Sequence, residues 1–533
     1  MRLRLFVIAL SLAALFAAHA ASAQTFQVPL TFHGTDGSTP MGTLVQGTDG
    51  NLYGTTLYGG TNSVCLPRTQ PPTPAGCGTI FQAMPEGALS TLYSFCSLAD
   101  CTDGDFPWAG LALGSNGNFY GTTSYGGGGD GIGTVFQLVA GQGLVSMANI
   151  SNDNTISPGL VEGADGNIYG ASNYGGAFQL TPTGALTTIY SFPEGFVPTG
   201  SLVQGTDGNF YGTTTSMVYG ATGSSVFQLS PEPPNGCPSG SNPGNGWCET
   251  VLHSFCSLPA CADGLSPEGG LVEGSDGNFY GTTSSGGAND SCSKEYETGC
   301  GTIFRITPGG VLTTLYSFCS LSKCADGAMP YGGLVLGSDG NFYGTTTYGG
   351  TGIYGLCDKL RCGTLFRLTP GGSLTTLHSF CSSRYCSDGA APYAAVIEAS
   401  GGTFYGTTAL GGAYGCGCGE VFSWSPGVAV APTFTPPSLT WAKQAVGTAS
   451  NPKSVKIKNV NSGEATLDLN GMNVASPFAI SKTTCEATLA AAKSCEVSIT
   501  FTPSAPGIAT GTFALTDNAP NSPQTLTLTG TAK

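Results

Sequence analysis

The chain is poor in charge: only 9% of its 533 residues are Asp, Glu, Lys or Arg, Lys plus Arg number 17 against 32 acidic residues, and there are four histidines. So little charge excludes a coiled coil and argues against a helical cytosolic enzyme, whose solvent faces draw on charged side chains. A nucleic-acid partner is disfavoured, because phosphate binding needs a concentrated basic surface. No Gly-x-Ser-x-Gly elbow, phosphate-cradling glycine loop or His-rich metal set occurs. Beyond the N-terminus no window approaches the roughly 20 apolar residues of a spanning helix, so no membrane span is expected.

Glycine (83), aromatic residues (10%) and hydrophobic residues overall (40%) are plentiful. This composition describes packed short strands joined by tight turns rather than disorder. The acidity is uneven. Residues 24–432 hold 27 acidic and 8 basic side chains, a balance of −19, whereas 433–533 hold 5 and 7, a balance of +2. At the N-terminus, Arg2 and Arg4, the apolar run Leu5 to Ala18 and Ala21-Ser22-Ala23 have the form of a secretory signal over 1–23. The C-terminal Leu526 to Lys533 reads as a closing strand without an anchor. A secreted or cell-surface location follows, and the cysteines agree. All 20 fall into close neighbours: 65/77, 96/101, 237/248, 256/261, 292/300, 319/324, 357/362, 381/386, 416/418 and 485/495. Ten local disulfides are the simplest account, with Cys416 and Cys418 the least secure pair; the shortage of histidine argues against zinc.

Internal repeats decide the architecture. The segment Gly-Asn-Phe-Tyr-Gly-Thr-Thr and its variants recur seven times, with the tyrosine at 53, 120, 169, 211, 280, 343 and 405. Each copy reads as four strands, clearest in the sixth: Gly333 to Leu336, Asn341 to Thr346, Gly363 to Thr369 and Leu374 to Phe380. Asp-Gly-Asn and Pro-Gly-Gly supply the hairpin turns. Four antiparallel strands repeated seven times is the pattern of a β-propeller. The chain opens with a lone fourth strand, Val28 to Phe32, and its last repeat ends on a third, Glu420 to Ser425, so the two are expected to pair and close the ring.

The unit Gly-Leu-Val-x-Gly-Ser-Asp-Gly-Asn-Phe-Tyr-Gly-Thr-Thr followed by Gly-Thr-Ile-Phe-Arg-Ile-Thr-Pro resembles the bacterial GloVer tandem-repeat family over about 400 residues. It is more distantly similar to streptogramin-lyase propellers, which share the Asp-Gly-Asn turn. The channel-mouth histidine and glutamate of those lyases have no clear counterpart here. After Pro432, Pro436 and Pro437 the pattern changes to alternating strands such as Val455 to Lys458 and Val497 to Phe501. With Ala445 to Thr448, Cys485, Cys495, Phe501-Thr502-Pro503 and Leu528-Thr529-Gly530, residues 438–533 resemble abnormal-spindle/Hydin or "choice-of-anchor" Ig-like domains, which implies an interaction or spacer module.

The expected organisation is therefore all-β: a signal peptide over 1–23, a seven-bladed β-propeller over 24–428, a Pro-rich linker over 429–437 and an immunoglobulin-like β-sandwich over 438–533. Cysteine-pinned loops should crown one face around repeats 5, 6, 7, 1 and 2, leaving 3 and 4 open. The loops between repeats place Asp36, Asp103, Asp263, Asp326 and Asp388 at equivalent positions. A proline follows in every repeat (40, 107, 158, 198, 267, 330 and 392), trailed in three by Trp108, Tyr331 and Tyr393. These eight residues are the candidate ligand site: an acidic, aromatic mouth able to stack sugars or hold a cation, against the alternative that the aspartates make turns and the aromatics wedge repeats together. The aspartates of the Asp-Gly-Asn turns (49, 165, 207, 276 and 339) read as turn residues. Glu162, Glu273 and Glu398 share one inner-strand position with Gln46 and Gln204, open to packing or to acid/base work on a channel floor. The reading reached is an exported, non-catalytic binding or surface-interaction protein, with no cofactor or metal and an extracellular ligand, carbohydrate or protein. The alternative is a carbohydrate-active propeller enzyme, a lyase or hydrolase, using acidic residues.

Overall fold

The computed structural model describes residues 24–62, 65, 76–85, 87–127, 133–139, 143–150, 159–172, 176–216, 223–290, 299–352, 362–400, 402–412, 417–426, 432–460, 467–486, 488–490, 493–517 and 523–533. The export signal, Pro158, Cys292, Cys357, Cys416 and residues 429–431 of the expected linker lie outside them. Two compact units are present, Phe26–Trp424 and a C-terminal unit from Ser425 to Lys533.

In the first unit every repeat forms one antiparallel sheet. The sixth runs Val335–Leu336, Phe342–Thr346, Thr364–Leu368 and Leu374–Ser379, within two residues of the sequence expectation. The repeat motif explains the packing. Tyr-Gly-Thr-Thr lies opposite the third strand, with Gly54 paired to Phe81 and Gly344 to Phe366. A Cβ on Gly54 would stand 2.6 Å from the Phe81 ring, so the glycine makes room for a phenylalanine that is fully buried. A bulge interrupts the pairing of third and fourth strands beside that phenylalanine in six repeats, for example at Ile80/Phe81 and Leu365/Phe366, and sharpens the local twist.

Contacts between repeats also recur. Tyr53 packs on Phe119, Tyr169 on Phe210, Tyr211 on Phe279, Tyr280 on Phe342 and Tyr343 on Phe404, with ring centroids 4.0–4.2 Å apart. Each of these tyrosine hydroxyls donates to the aspartate of its own Asp-Gly-Asn turn, 2.7–3.0 Å away. That aspartate also accepts the asparagine two residues on, as a turn residue should. The first strand, Thr25–Thr31, joins the sheet of the last repeat beside Glu420–Ser425, so the sheets form a closed series without an open edge at either end.

In the second unit two sheets share one core. Thr433–Thr435, Lys453–Lys458, Ser494–Phe501 and Phe478–Thr483 form one; Ser438–Gln444, Gln524–Ala532, Gly507–Asp517, Leu467–Val474 and Thr488–Leu489 form the other. Alternate residues from both meet in the interior, among them Leu439, Trp441, Ile457, Val497, Phe513 and Leu528. Thr433–Thr435, read from sequence as linker, is a strand paired to Lys456–Lys458, because its alternation offers Phe434 to that core.

Candidate functional site

The repeats converge on one cavity of about 530 Å³ lined by all seven. Each contributes the segment before its first strand, reached in five of them through a strained turn. Thr39, Phe106, Ser266, Met329 and Ala391, each directly before a proline, hold φ between 53° and 55°. Left-handed backbone is costly for side-chain-bearing residues and doubly restricted before proline. It persists because the neighbouring repeat binds it: the amides of Thr39, Phe106, Met329 and Ala391 donate to the carbonyls of Cys418, Cys77, Cys300 and Cys362 at 2.8–2.9 Å.

Beyond the proline, small residues let successive segments touch backbone to backbone. A Cβ on Gly110 would fall 2.1 Å from the Thr43 carbonyl, and one on Gly269 2.7 Å from Gly333. The carbonyls of Ala109, Gly332 and Ala394 accept the hydroxyls of Thr55, Thr282 and Thr345 at 2.7–3.0 Å. The throat is therefore backbone, and the residue just after the proline gives the cavity its chemistry. In six repeats that residue is Met41, Trp108, Thr199, Glu268, Tyr331 or Tyr393, and all six line the cavity. In the third repeat the residue after the proline is Gly159, which also lines the cavity but brings no side chain. The Tyr331 and Tyr393 rings stand 5.4 Å apart at 45°, and Trp108 is 41% exposed.

The sequence-derived candidates separate into two groups. Trp108, Tyr331 and Tyr393 line the cavity; the five aspartates do not. Asp103, Asp263, Asp326 and Asp388 are buried, each clamping the disulfide loop that precedes it. Asp103 accepts from Tyr93 Oη (2.7 Å), from the amide and hydroxyl of Ser97 (2.9 Å each) and from the Leu98 amide (3.2 Å). Asp326 repeats this with Tyr316, Ser320 and Leu321. In the other two, His253 and His378 replace the tyrosine, 3.0 and 3.1 Å from Asp263 and Asp388. Asp36 accepts the amide and faces the ring of His33. Burial raises the Asp263 carboxyl, but the donors from Ser257, Leu258 and His253 outweigh it and hold it below the usual range. Partial burial, opposed by the Ser97 bond and aided by the Asp103 carboxylate, pushes the Tyr93 hydroxyl up to about 12.

The inner-strand carboxylates are not paired on a channel floor either. Glu162 accepts the amide and hydroxyl of Ser115, Glu273 those of Thr206 and Glu398 those of Ser338, at 2.6–3.0 Å, each in the preceding repeat. Gln204 binds the Ala164 amide likewise, and Gln46 reaches from the first repeat to Ser400 in the last at 2.8 Å. They staple neighbouring repeats. Met41 and Glu268 were missed by sequence reasoning, although their place directly after the repeated proline marks them.

Seven described disulfides match the expected local pairs, six of them in the first unit. Cys300, Cys362 and Cys418 are also disulfide-bonded. Cys300 meets Cys319 and Cys324, and Cys362 meets Cys381 and Cys386, so the two kinds of pinned loop share one end of their sheets. These sulfurs, being disulfide-bonded, offer no thiolate to a metal. Cys237–Cys248 sits at the opposite end, where Cys248 pairs with Ser230 beyond Leu229. So many disulfides fit an extracellular location. Among the described residues no helix is long and apolar enough to cross a membrane.

A chain of tandem all-β repeats around a shared cavity is thus the class defined here. The Gloeobacter/Verrucomicrobia repeat matches residues 14–227, 69–292 and 291–435, and the chain belongs to that family. No curated relative matches. Among solved structures it is similar to PorZ, a surface component of the type-IX secretion system of Porphyromonas gingivalis, at 12% identity, 91% of this chain, 58% of that chain and a TM-score of 0.44. It is also similar to the WD40 β-propeller domain of Doa1 (11% identity, 75% of this chain, 97% of that, TM-score 0.42). A PapD-like domain of human CEP192 matches 20% of this chain and 87% of its own length at 16% identity and a TM-score of 0.16. The chain spans little more than half the length of PorZ.

Proposed function

We propose that this is an exported, non-catalytic binding protein: a seven-bladed β-propeller that takes its ligand in the cavity shared by its repeats, joined to an Ig-like sandwich that spaces or docks it. One observation carries the reading. Every repeat contributes to one cavity whose side chains are aromatic, apolar or small, and the only carboxylate among the described lining residues is Glu268. Acid/base hydrolysis of a glycoside uses two carboxyl groups about 5–9.5 Å apart. The other acidic candidates hold loops and neighbouring repeats. In this reading Trp108, Tyr331 and Tyr393 touch the ligand, while Asp36, Asp103, Asp263, Asp326 and Asp388 keep the surrounding loops rigid. The sheet count, the closing first strand and the pinned loops at one end support the propeller; the two-sheet core of the second unit supports the sandwich.

The test is a screen of residues 24–533 against glycans, small metabolites and peptides, with product analysis of every hit. Saturable binding without turnover, abolished by Trp108→Ala, is expected. Turnover that disappears in Glu268→Gln would overturn the reading in favour of a carbohydrate-active enzyme.

A further inference from the structure

The cavity wall is divided. Tyr331, Tyr393, Met41 and Trp108 come from repeats 6, 7, 1 and 2, which are consecutive because the first strand completes the last sheet and Gln46 reaches Ser400. Four large side chains therefore form one continuous arc. Thr199 and Glu268 of repeats 4 and 5 continue the lining. Glu268 closes the arc beside Tyr331, since the backbone at Gly269 touches that at Gly333.

The charge of this cavity has one sign. Among the described lining residues there is no Lys, Arg or His, and residues 24–432 carry a balance of −19. An anionic ligand would meet an unfavourable field. A neutral sugar is less well served for a different reason: its hydroxyls need many polar partners, and five of those the wall offers are engaged. Thr199 Oγ1 donates to the Pro267 carbonyl, Ser201 Oγ accepts the Gly159 amide, and three of the throat carbonyls are taken by threonines. An alkylated ammonium group needs no such partners. Its charge is attracted to the faces of Trp and Tyr and to a nearby carboxylate, and its methyl groups pack against Met and aromatic carbon.

Resting on the binding reading above, we propose that the cavity recognises a quaternary or methylated ammonium group, held between the arc of Tyr331, Tyr393, Met41 and Trp108 and the carboxylate of Glu268. The test is calorimetric titration of residues 24–533 with choline and with 3,3-dimethylbutan-1-ol, the same shape without the charge. Saturable choline binding is expected, at least about tenfold tighter than the neutral alcohol. Glu268→Gln should cut that preference severalfold. Trp108→Leu and Tyr331→Leu, which keep apolar bulk but remove the π face, should weaken choline while leaving the alcohol nearly unchanged. Thermal unfolding of each variant separates lost binding from lost fold. No choline binding, equal binding of the two probes, or choline binding indifferent to all three substitutions would overturn the proposal. If a neutral glycan then binds and is lost in Trp108→Ala, the cavity-binding reading stands while the cation falls. If no ligand responds to Trp108, both fall.

Discussion

At the scale of single residues, equivalent positions do different work. Asp103, Asp263, Asp326 and Asp388 recur because a loop needs them: one carboxylate satisfies a fourth-strand hydroxyl or imidazole, a serine and two backbone amides. The residue after the proline recurs as a position but changes in identity, from Met41 and Trp108 to Glu268 and Tyr331. A role internal to the repeat holds the residue type constant, whereas a role toward a ligand lets it vary around the ring. Asp326→Ala should therefore cost about 2 kcal/mol of stability, because it removes a buried carboxylate from the part-buried donors of Tyr316, Ser320 and Leu321. Ligand binding by the protein that remains folded should be unchanged. Denaturant titration and calorimetry on the same preparation check both halves.

At the scale of elements, the four six-residue disulfide loops are rigid by three independent means. Each holds non-glycine residues in left-handed backbone, as at Cys319 (φ 62°), Lys323 (60°) and Cys324 (52°), with a disulfide across them and an aspartate beneath. This fixes an exposed leucine at the tip: Leu98, Leu258 and Leu321 are 53–57% exposed. Replacing Cys319 and Cys324 by serine should cost about 2 kcal/mol on the chain-entropy account of a six-residue loop. It should also open the loop near Leu321 to protease, while the Asp326 bonds keep the rest of the repeat folded. Limited proteolysis with mass spectrometry, beside a denaturation curve, reads both. The pairings were legible in the sequence because each loop's cysteines are near neighbours. The aspartate's role was not, since its partners are contributed by a preceding strand and by backbone amides that no spacing rule names.

For the first unit as a whole, ring closure is the point where the repeat breaks its own rule. The third strand begins with a small residue in most repeats, such as Thr79, Thr134, Thr302 or Thr364, facing a threonine of the second strand. In the last repeat that place is taken by Glu420, opposite Thr408 and bonded to Thr31 of the closing strand at 3.2 Å. Its Oε2 is buried with no hydrogen-bond partner among the described residues. Burial, opposed by the Thr31 bond and aided by the charge of Asp388, pushes the carboxyl up to about 8. In the unfolded chain a glutamate titrates near 4.3, so between the two values the folded state holds the extra proton. The stability from this group is complete below about pH 4.3, declines as pH rises, and is lost above about 8. The loss should be on the order of 4 kcal/mol between pH 5 and 9. Glu420→Gln should flatten that slope and be the more stable protein at pH 9. Unfolding measured at pH 5, 7 and 9 in both proteins decides it, and parallel curves would refute the assignment.

What the sequence determined by itself was everything that repeats or lies close along the chain. Seven copies of the Tyr-Gly strand, six of them Tyr-Gly-Thr-Thr, their turns, the strand spans and the neighbouring cysteines follow from local propensity and spacing, which act over a few residues and recur each time the motif does. The alternating strands of the C-terminal unit were legible for the same reason, although Thr433–Thr435 was not, its pairing with Lys456–Lys458 lying about two dozen residues away. Only the tertiary structure decided which way equivalent side chains turn. Glu273 spans to Thr206 instead of lining a floor, Asp326 points into its own loop, and Glu268 and Met41 join Trp108, Tyr331 and Tyr393 around one cavity. Those residues meet because seven segments, each tens of residues from the next, are brought together by the closure of the chain's first strand onto its last repeat, a long-range pairing that no local pattern encodes.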